Sequence, residues 1–299
     1  MIVVKPEVVG ESNLLSSSIP EPDAGEISWQ AGTYTLGTQR IKSSTHRIYE
    51  VVAESTDDDP EVGVLADPKT WIDVGATNKW KMFDGIIGSQ SVGFQNVEIL
   101  NSPIVNCVAG FNITGASSIR VVVFYENDLV YDREKTMIDE SVVGGWYDYL
   151  FSPVIAETRF IFTDLPTYPE ARVNVIATGD DVAFGELITG LGVDIGVTQF
   201  GTGWQGLDFS KKERDSFGGF SVIAGQTADL LDYDIKIDRT RFGYVKSVIK
   251  SLTGIPTVWI GNPKDTSDGT AVYGYYRDAQ INFTSPSLID MTVQVEGLI

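Results

Sequence analysis

Six aromatic and amide side chains are the best candidates in this chain for contacting a ligand or a partner protein. They lie in two runs, and they are Trp71, Asn78, Trp80, Trp146, Tyr147 and Tyr149. Aromatic faces stack on the apolar faces of sugar rings, and they also anchor protein interfaces. Structural roles are open as well, because the first run could form a core and the second could join one sheet to the next domain.

The first run, WIDVGATNKWKMFDG, occupies residues 71–85. Its pattern predicts a strand, a tight turn and a second extended segment, which together make an aromatic-rich hairpin. Gly75 and Asn78 suit the turn because both tolerate positive φ. Burial of its large rings would create a core around which the other strands assemble, so the run needs no substrate to explain it.

Catalytic signatures are missing from the sequence. There is no GxxxxGK[ST], strand-associated GxGxxG, HExxH or GxSxG pattern. The single histidine, His46, excludes metal sites built on two or three histidines, and Cys107 lies in an apolar run that favours a buried residue over a nucleophile. We therefore predict no catalytic residue, no metal site, no cofactor and no enzymatic activity. A glycan depolymerase that uses a carboxylate pair is a third hypothesis, but 41 acidic residues make such pairs uninformative.

Three charged runs have structural explanations. The acids at residues 57–59 lack the alternating spacing of a calcium loop and indicate a solvated turn. Asp232, Asp234 and Asp238 fit a strand that runs into a helix cap. The basic run KKER at residues 211–214 suggests an ion-pair surface between subunits in an otherwise acidic chain.

Composition narrows the class of partner. The chain has 299 residues, a formal net charge of −19 and 42% hydrophobic residues, which is enough for substantial cores. Such acidity argues against a nucleic-acid groove or an anionic membrane surface, since phosphate contacts need clustered Lys and Arg. No window approaches the roughly 18 apolar residues of a membrane span, and no signal peptide is visible.

The predicted fold class is mainly β, in three parts. Residues 1–25 are rich in Ser, Pro and acids, and we expect an extended arm that orders on a neighbouring subunit or a flexible leader. Residues 26–197 predict a jelly-roll-like β-sandwich, with a turn at the GDD of residues 179–181. Residues 198–299 predict a smaller α+β domain with one amphipathic helix between Asp238 and Gly254.

Residues 71–84 also fit the pattern W-x-D-[VI]-G-[AP]-T-N-[RK]-W-x-M-F-D. This pattern resembles one found in a family of tailed-bacteriophage virion proteins of the tail tip, baseplate or tail appendages. Further similar segments follow in order, so the resemblance covers about residues 45–299; they are WYDYLF, LPTYPEARVNV, FGELITG, LDFSKKERDSFGG and GIPTVWIG. Lys79 stands where arginine is common in the family, which preserves the charge.

The resemblance implies a structural component of a phage tail, located in the virion. Such a protein is made in the host cytoplasm and released by lysis, and its partners are copies of itself and other tail proteins. Homo-oligomers of this kind usually close into rings. The alternative function is a host-surface glycan-binding module, which would use the aromatic residues around Trp146 or an exposed part of the Trp71 motif.

Overall fold

The computed structural model of the chain describes residues 1–101, 104–138, 145–146, 155–214, 218–266 and 269–298. The chain is mainly β, with large antiparallel pairings and little helix. The predicted fold class, a β-sandwich with a smaller part that carries one amphipathic helix, is confirmed. The proposed division at residues 197 and 198 stays a prediction.

Strands follow one another along most of the described chain. They are β1 (Ile2–Pro6), β2 (Leu14–Ser17), β3 (Tyr34–Thr35), β4 (Gln39–Lys42), β5 (Arg47–Val51), β6 (Ser55–Thr56), β7 (Trp71–Ala76), β8 (Ser91–Val92), β9 (Asn96–Leu100), β10 (Cys107–Tyr125), β11 (Asp128–Thr136), β12 (Phe160–Phe162), β13 (Arg172–Asp194), β14 (Val197–Thr198), β15 (Gly203–Asp208), β16 (Lys211–Arg214), β17 (Phe220–Ile223), β18 (Thr227–Asp238), β19 (Thr257–Ile260), β20 (Ala271–Asn282) and β21 (Leu288–Gly297). The α-helices whose bounds lie within the described residues are α1 (Pro60–Gly63) and α2 (Phe242–Ser251).

Fourteen of these strands form one antiparallel sheet. Its main path runs β11-β10-β13-β1-β19-β20-β21-β18-β14. Strand β12 pairs with β10, strands β8 and β9 with β13, β2 with β9, and β15 with β18. Three smaller groups stand apart from this sheet in the described residues: β4-β5-β7, β3-β6 and β16-β17.

The long strands β10 and β13 carry the sheet around a bend. Their register shifts between Thr114 and Ser118. Here the backbones of the two strands come so close that a Cβ on Gly179 would collide with the Gly115 carbonyl oxygen. Only glycine permits this approach. The prediction of a GDD turn between two strands is wrong, because β13 continues through residues 179–181 as one bent strand. Its bent halves both line one core, as in a β-sandwich.

Strand β1 lies in the middle of the sheet, between β13 and β19. Val4 pairs with Gly192 on one side and with Val258 on the other. Val3 and Val4 are both buried, since both faces of the sheet are covered at this point. We expected residues 1–25 to form an arm for a neighbour or a flexible leader, but two strands in this range, β1 and β2, pair with strands of their own chain.

The two largest hydrophobic cores draw most of their residues from different parts of the chain. The first draws its residues from Ile19 to Leu187, and the second combines Met1 and Val3 with residues between Ile195 and Val295. A third joins β1, β10 and β19, and it contains Cys107. Cys107 is buried, as predicted, and this burial raises the pKa of its thiol to about 12.

The acidic turn before the tryptophan motif forms helix α1. Asp59 caps it by accepting a hydrogen bond from the Glu61 amide at 2.9 Å, and its carboxylate also binds the Lys42 ammonium at 2.8 Å. Asp58 accepts a hydrogen bond from the Thr70 hydroxyl at 2.8 Å. Both carboxylates therefore stabilise the local structure around α1.

The predicted amphipathic helix is confirmed. A short 3₁₀ segment, Arg239–Arg241, leads into α2, and the Asp238 carboxylate caps this start by accepting from the Thr240 amide at 2.8 Å. Val245 and Ile249 are buried against the second core, as their spacing along the helix predicts.

The position of β1 generates a test of stability. Replacing Val4 with Ala removes two buried methyl groups from the sheet centre, and it should lower the free energy of unfolding by about 2 kcal/mol. The matched control is Val8→Ala, because the Val8 side chain is exposed. Urea titrations of both variants measure the difference, and equal stabilities would mean that the first strand is a detachable arm.

Candidate functional site

The tryptophan motif begins as strand β7 and continues into a turn and a short 3₁₀ helix. The Trp80 amide donates to the Thr77 carbonyl at 2.8 Å, and the Phe83 amide donates to the Trp80 carbonyl at 3.0 Å. Residues Lys81–Phe83 therefore form a 3₁₀ helix, and the predicted second extended segment is wrong. The physical reason is that the Ser91 hydroxyl accepts from the Met82 amide at 2.9 Å and so replaces a strand partner.

The Glu21 carboxylate joins the first part of the chain to this motif. It accepts hydrogen bonds from the Thr77 hydroxyl at 2.8 Å and from the Trp80 indole N–H at 2.8 Å. The Nδ1 atom of His46 lies 2.9 Å from the same carboxylate, and the imidazole stacks on Trp80 with 4.2 Å between ring centres. The Glu21 side chain is only 7% exposed, so these contacts take the place of water.

Asn78 makes a second connection. Its side-chain amide exchanges two hydrogen bonds with the Val92 backbone, at 2.9 Å and 2.8 Å, as a neighbouring strand would. Its Nδ2 also donates to the Asp23 carboxylate, and its backbone amide donates to the Glu26 carboxylate at 2.7 Å. One amide residue therefore holds residues 23–26 against the start of β8.

Trp71 fills a small core of its own. The side chain is fully buried, and its indole N–H donates to the Asp58 carbonyl at 3.1 Å. The ring meets Tyr34 edge-on with 5.6 Å between ring centres, and it packs beside Tyr49 and Val51. Because these neighbours bury the Trp71 ring completely, neither face of the ring is open to a ligand.

Two acids meet where the motif contacts the sheet. Glu186 lies on β13 with its side chain buried, and its carboxylate accepts from the Gly85 amide at 3.0 Å. Asp84, the last residue of the motif pattern, is half-buried and accepts from the Ile86 amide and the Ser89 hydroxyl, each at 2.8 Å. No cation pairs with Glu186 among the described residues.

The environment of Glu186 favours its protonated form. Burial, reinforced by the nearby Asp84 charge, raises the pKa of Glu186 to about 8. Burial also raises the pKa of Asp84 and of Tyr273, and Glu186 adds to the effect at Tyr273. Such a pair can hold and release a proton near neutral pH. Because Glu186 is only 4% exposed, the pair is closed to a polysaccharide in this conformation.

The predicted contact residues separate into two groups. Trp71, Asn78 and Trp80 come together within the motif, where the two tryptophans are buried. Trp146 lies apart from them and is 83% exposed. Tyr147 and Tyr149 lie outside the described residues.

Sequence reasoning missed three residues that organise these sites. Glu21 has no local signal, because its donors follow 25 to 59 residues later. Glu186 did have one, since it is a lone acid within the apolar run VAFGELITG. Trp204 stood in the segment GWQG, which carried only a signal for a domain boundary.

Comparisons with known proteins add no relative. No protein-family model matches the sequence, and no curated protein matches it. Within the described ranges, no group of three or more His, Cys, Asp or Glu side chains could hold a metal ion. No helix in that part of the chain has the length and apolar character to cross a bilayer.

The contacts of Glu21 predict the effect of removing its charge. Glu21→Gln places an NH₂ group against the Trp80 N–H or the Thr77 hydroxyl, so the free energy of unfolding should fall by about 1–3 kcal/mol. Glu54→Gln is the control, because Glu54 is exposed and makes no such side-chain contacts in the described structure. Chemical denaturation compares the two, and an unchanged Glu21→Gln midpoint would contradict the role of this carboxylate.

The raised pKa of Glu186 predicts a pH dependence. The folded chain retains a proton that the unfolded chain releases, so this stability is full below about pH 4.5 and is lost as pH rises through about 8. Glu186→Gln keeps an oxygen that accepts from the Gly85 amide, but it does not ionise, so it does not lose stability as pH rises. Its stability should exceed that of the wild type by a margin that grows by up to roughly 1.4 kcal/mol per pH unit across that window.

Urea titrations between about pH 5.5 and pH 8 measure this margin. The control is Glu134→Gln, which removes the same charge from an exposed position on β11. A constant margin across the range would show that Glu186 titrates like a surface acid.

Proposed function

We propose that this chain is a structural subunit of a bacteriophage tail, in the tail tip, baseplate or a fibre adaptor, and that it assembles with copies of itself. The observation that carries the assembly is an exposed two-stranded extension, which we call the ribbon (residues 208–214 and 218–227). The tail location is supported by the ordered sequence motifs that resemble phage virion proteins.

The ribbon continues outward from the sheet. Strands β15 and β18 pair as far as Asp208 and Thr227, and the Phe209 amide then donates to the Gln226 carbonyl at 3.1 Å. Beyond this point β16 and β17 pair only with each other in the described structure, and every residue of both strands is exposed. A two-stranded hairpin is marginal in water by itself, so a ribbon of this kind is suited to a partner surface.

One face of the ribbon has a composition suited to binding. Cross-strand pairing places Lys212 beside Val222 and Arg214 beside Phe220, so two cations and two apolar residues share this face. Phe220 is 61% exposed, and the Arg214 guanidinium lies 6.0 Å from its ring centre. The rest of the chain is strongly acidic, with a net charge of −19. A second copy therefore offers complementary charge to this face, which carries two cations and two apolar side chains.

Ion pairs already made within the ribbon refine the earlier interpretation of the KKER run. Lys212 binds Asp208 at 2.6 Å, and Lys211 binds Glu213 at 2.6 Å. All four side chains are exposed, so these pairs contribute little to stability and can exchange for partners on another subunit.

Glycan binding is the second candidate function. Trp146 is exposed and follows Gly145 in the chain, and it therefore supports the hypothesis of an aromatic contact with a host-surface sugar. Catalysis is not part of either proposal.

The ribbon hypothesis predicts the oligomeric state. The wild-type protein should show a mass that is a multiple of 32.7 kDa, and high salt should weaken the assembly by screening the ribbon charges. Phe220→Ser combined with Val222→Ser should give monomers whose unfolding is unchanged, because both side chains are exposed. Light scattering after size-exclusion chromatography measures the masses.

The control pair is Val8→Ser with Leu65→Ser, which removes apolar side chains exposed elsewhere and should leave the assembly intact. A monomeric wild type at all concentrations would contradict assembly through the ribbon. The tail location is tested by imaging purified virions with one terminus labelled, and absence of the protein from those particles would end that proposal.

A further inference from the structure

Trp204 forms a flat, fixed aromatic surface at the edge of the sheet. It lies on β15, and its indole N–H donates to the Asp229 carboxylate on β18 at 2.8 Å. The ring lies along its own strand over Gly206, where an added Cβ would come within 3.2 Å of the indole. Because Gly206 has no side chain, the indole ring can pack flat against the strand. The hydrogen bond to Asp229 fixes the orientation of the ring plane. The side chain is still 65% exposed, so a broad part of the ring faces solvent.

A groove of about 360 Å³ opens beside this ring. Its walls combine the indole with polar and apolar side chains from separated parts of the chain, namely Arg159, Thr202, Asp229, Leu231 and Thr270. In the described structure, the Arg159 guanidinium uses one donor on the Ala271 carbonyl at 2.6 Å, and the Asp229 carboxylate accepts only from Trp204. Further donors and acceptors therefore remain beside the ring.

We propose that this groove binds a neutral pyranose ring of an oligosaccharide, with Trp204 as the stacking surface. A pyranose has an apolar C–H face and hydroxyl groups around its edge. The C–H face would pack on the indole through dispersion contacts, while Asp229 accepts from one hydroxyl and Arg159 donates to another. The groove lies within the range of roughly 300–1,000 Å³ found for small-molecule sites.

Charge selects among the ligands that stack on aromatic rings. Nucleotides and acidic sugars bring negative charge toward Asp229 and toward a chain whose net charge is −19. A neutral sugar avoids this cost and still uses the carboxylate as an acceptor. Because the ring plane is already fixed, binding loses little side-chain entropy.

This inference goes beyond assembly and does not depend on it. Trp146, which the sequence suggested for glycan contact, is not among the described residues that line this groove. A saccharide site at Trp204 can therefore be correct in a tail subunit or in a protein of another kind, and its test must separate it from an interface between copies.

The test measures binding of neutral tetrasaccharides built from glucose, galactose or mannose, alongside a sialylated tetrasaccharide, by saturation-transfer NMR. The variants are Trp204→Ala, Trp204→Phe and the matched control Tyr244→Ala, which removes an exposed aromatic side chain that does not line the groove. At least one neutral probe should bind the wild type and the control equally. Trp204→Ala should weaken that binding by about tenfold or more, and Trp204→Phe should weaken it less, since it keeps an apolar ring.

Thermal unfolding and light scattering accompany each measurement, and both should be unchanged in Trp204→Ala because its side chain is largely exposed. Equal binding by Trp204→Ala and the wild type would overturn the proposal, as would the failure of every neutral probe to bind the wild type. A loss of oligomer mass in Trp204→Ala without a change in sugar binding would identify the surface as an interface and would also overturn it.

Discussion

A single buried carboxylate ties the beginning of this chain to its most aromatic segment. Glu21 would be costly to bury alone, and three donors from His46, Thr77 and Trp80 surround it. Displacing the segment before residue 26 would remove the Glu21 carboxylate, which is the acceptor that these three groups share. The constraint explains why Trp80, Thr77 and Asn78 occur together, because their polar atoms complete one network around residues 21–26.

The same network positions the acids that are open to titration. Asp84 follows the 3₁₀ helix directly, and Gly85 then reaches the Glu186 carboxylate on β13. The motif is thus held at one end by hydrogen bonds to the Glu21 carboxylate and at the other by a carboxyl group whose burial favours its proton. Both ends therefore hold the motif against other parts of the chain.

Local patterns predicted what local physics determines. The helix after Asp238, the buried Cys107 and the β-rich character follow from spacing and residue type within short windows. Predictions failed where a distant strand decides the outcome. Residues 179–181 look like a turn, but pairing with β10 draws them into a bent strand. The first strand has little alternation because both of its faces are buried, so its run resembles a leader.

The candidate sites show the same division. Trp71 and Trp80 were conspicuous as residue types, yet their environment depends on Glu21 and Asp58, which no short window connects to them. The flat ring of Trp204 depends on Gly206 along the strand and Asp229 across it. Only the glycine is visible nearby in the sequence, and its meaning depends on knowing that the segment is an edge strand.

The central place of β1 has a consequence for how the protein is made. The strands on both sides of β1, β13 and β19, are translated only long after it. The nascent β1 is therefore an unpaired apolar segment until both strands have been made. Closing the sheet needs contacts between residues that are far apart in sequence, and such contacts slow folding. Production would therefore be sensitive to chaperone supply, because β1 exposes apolar residues until both of its neighbours have been made.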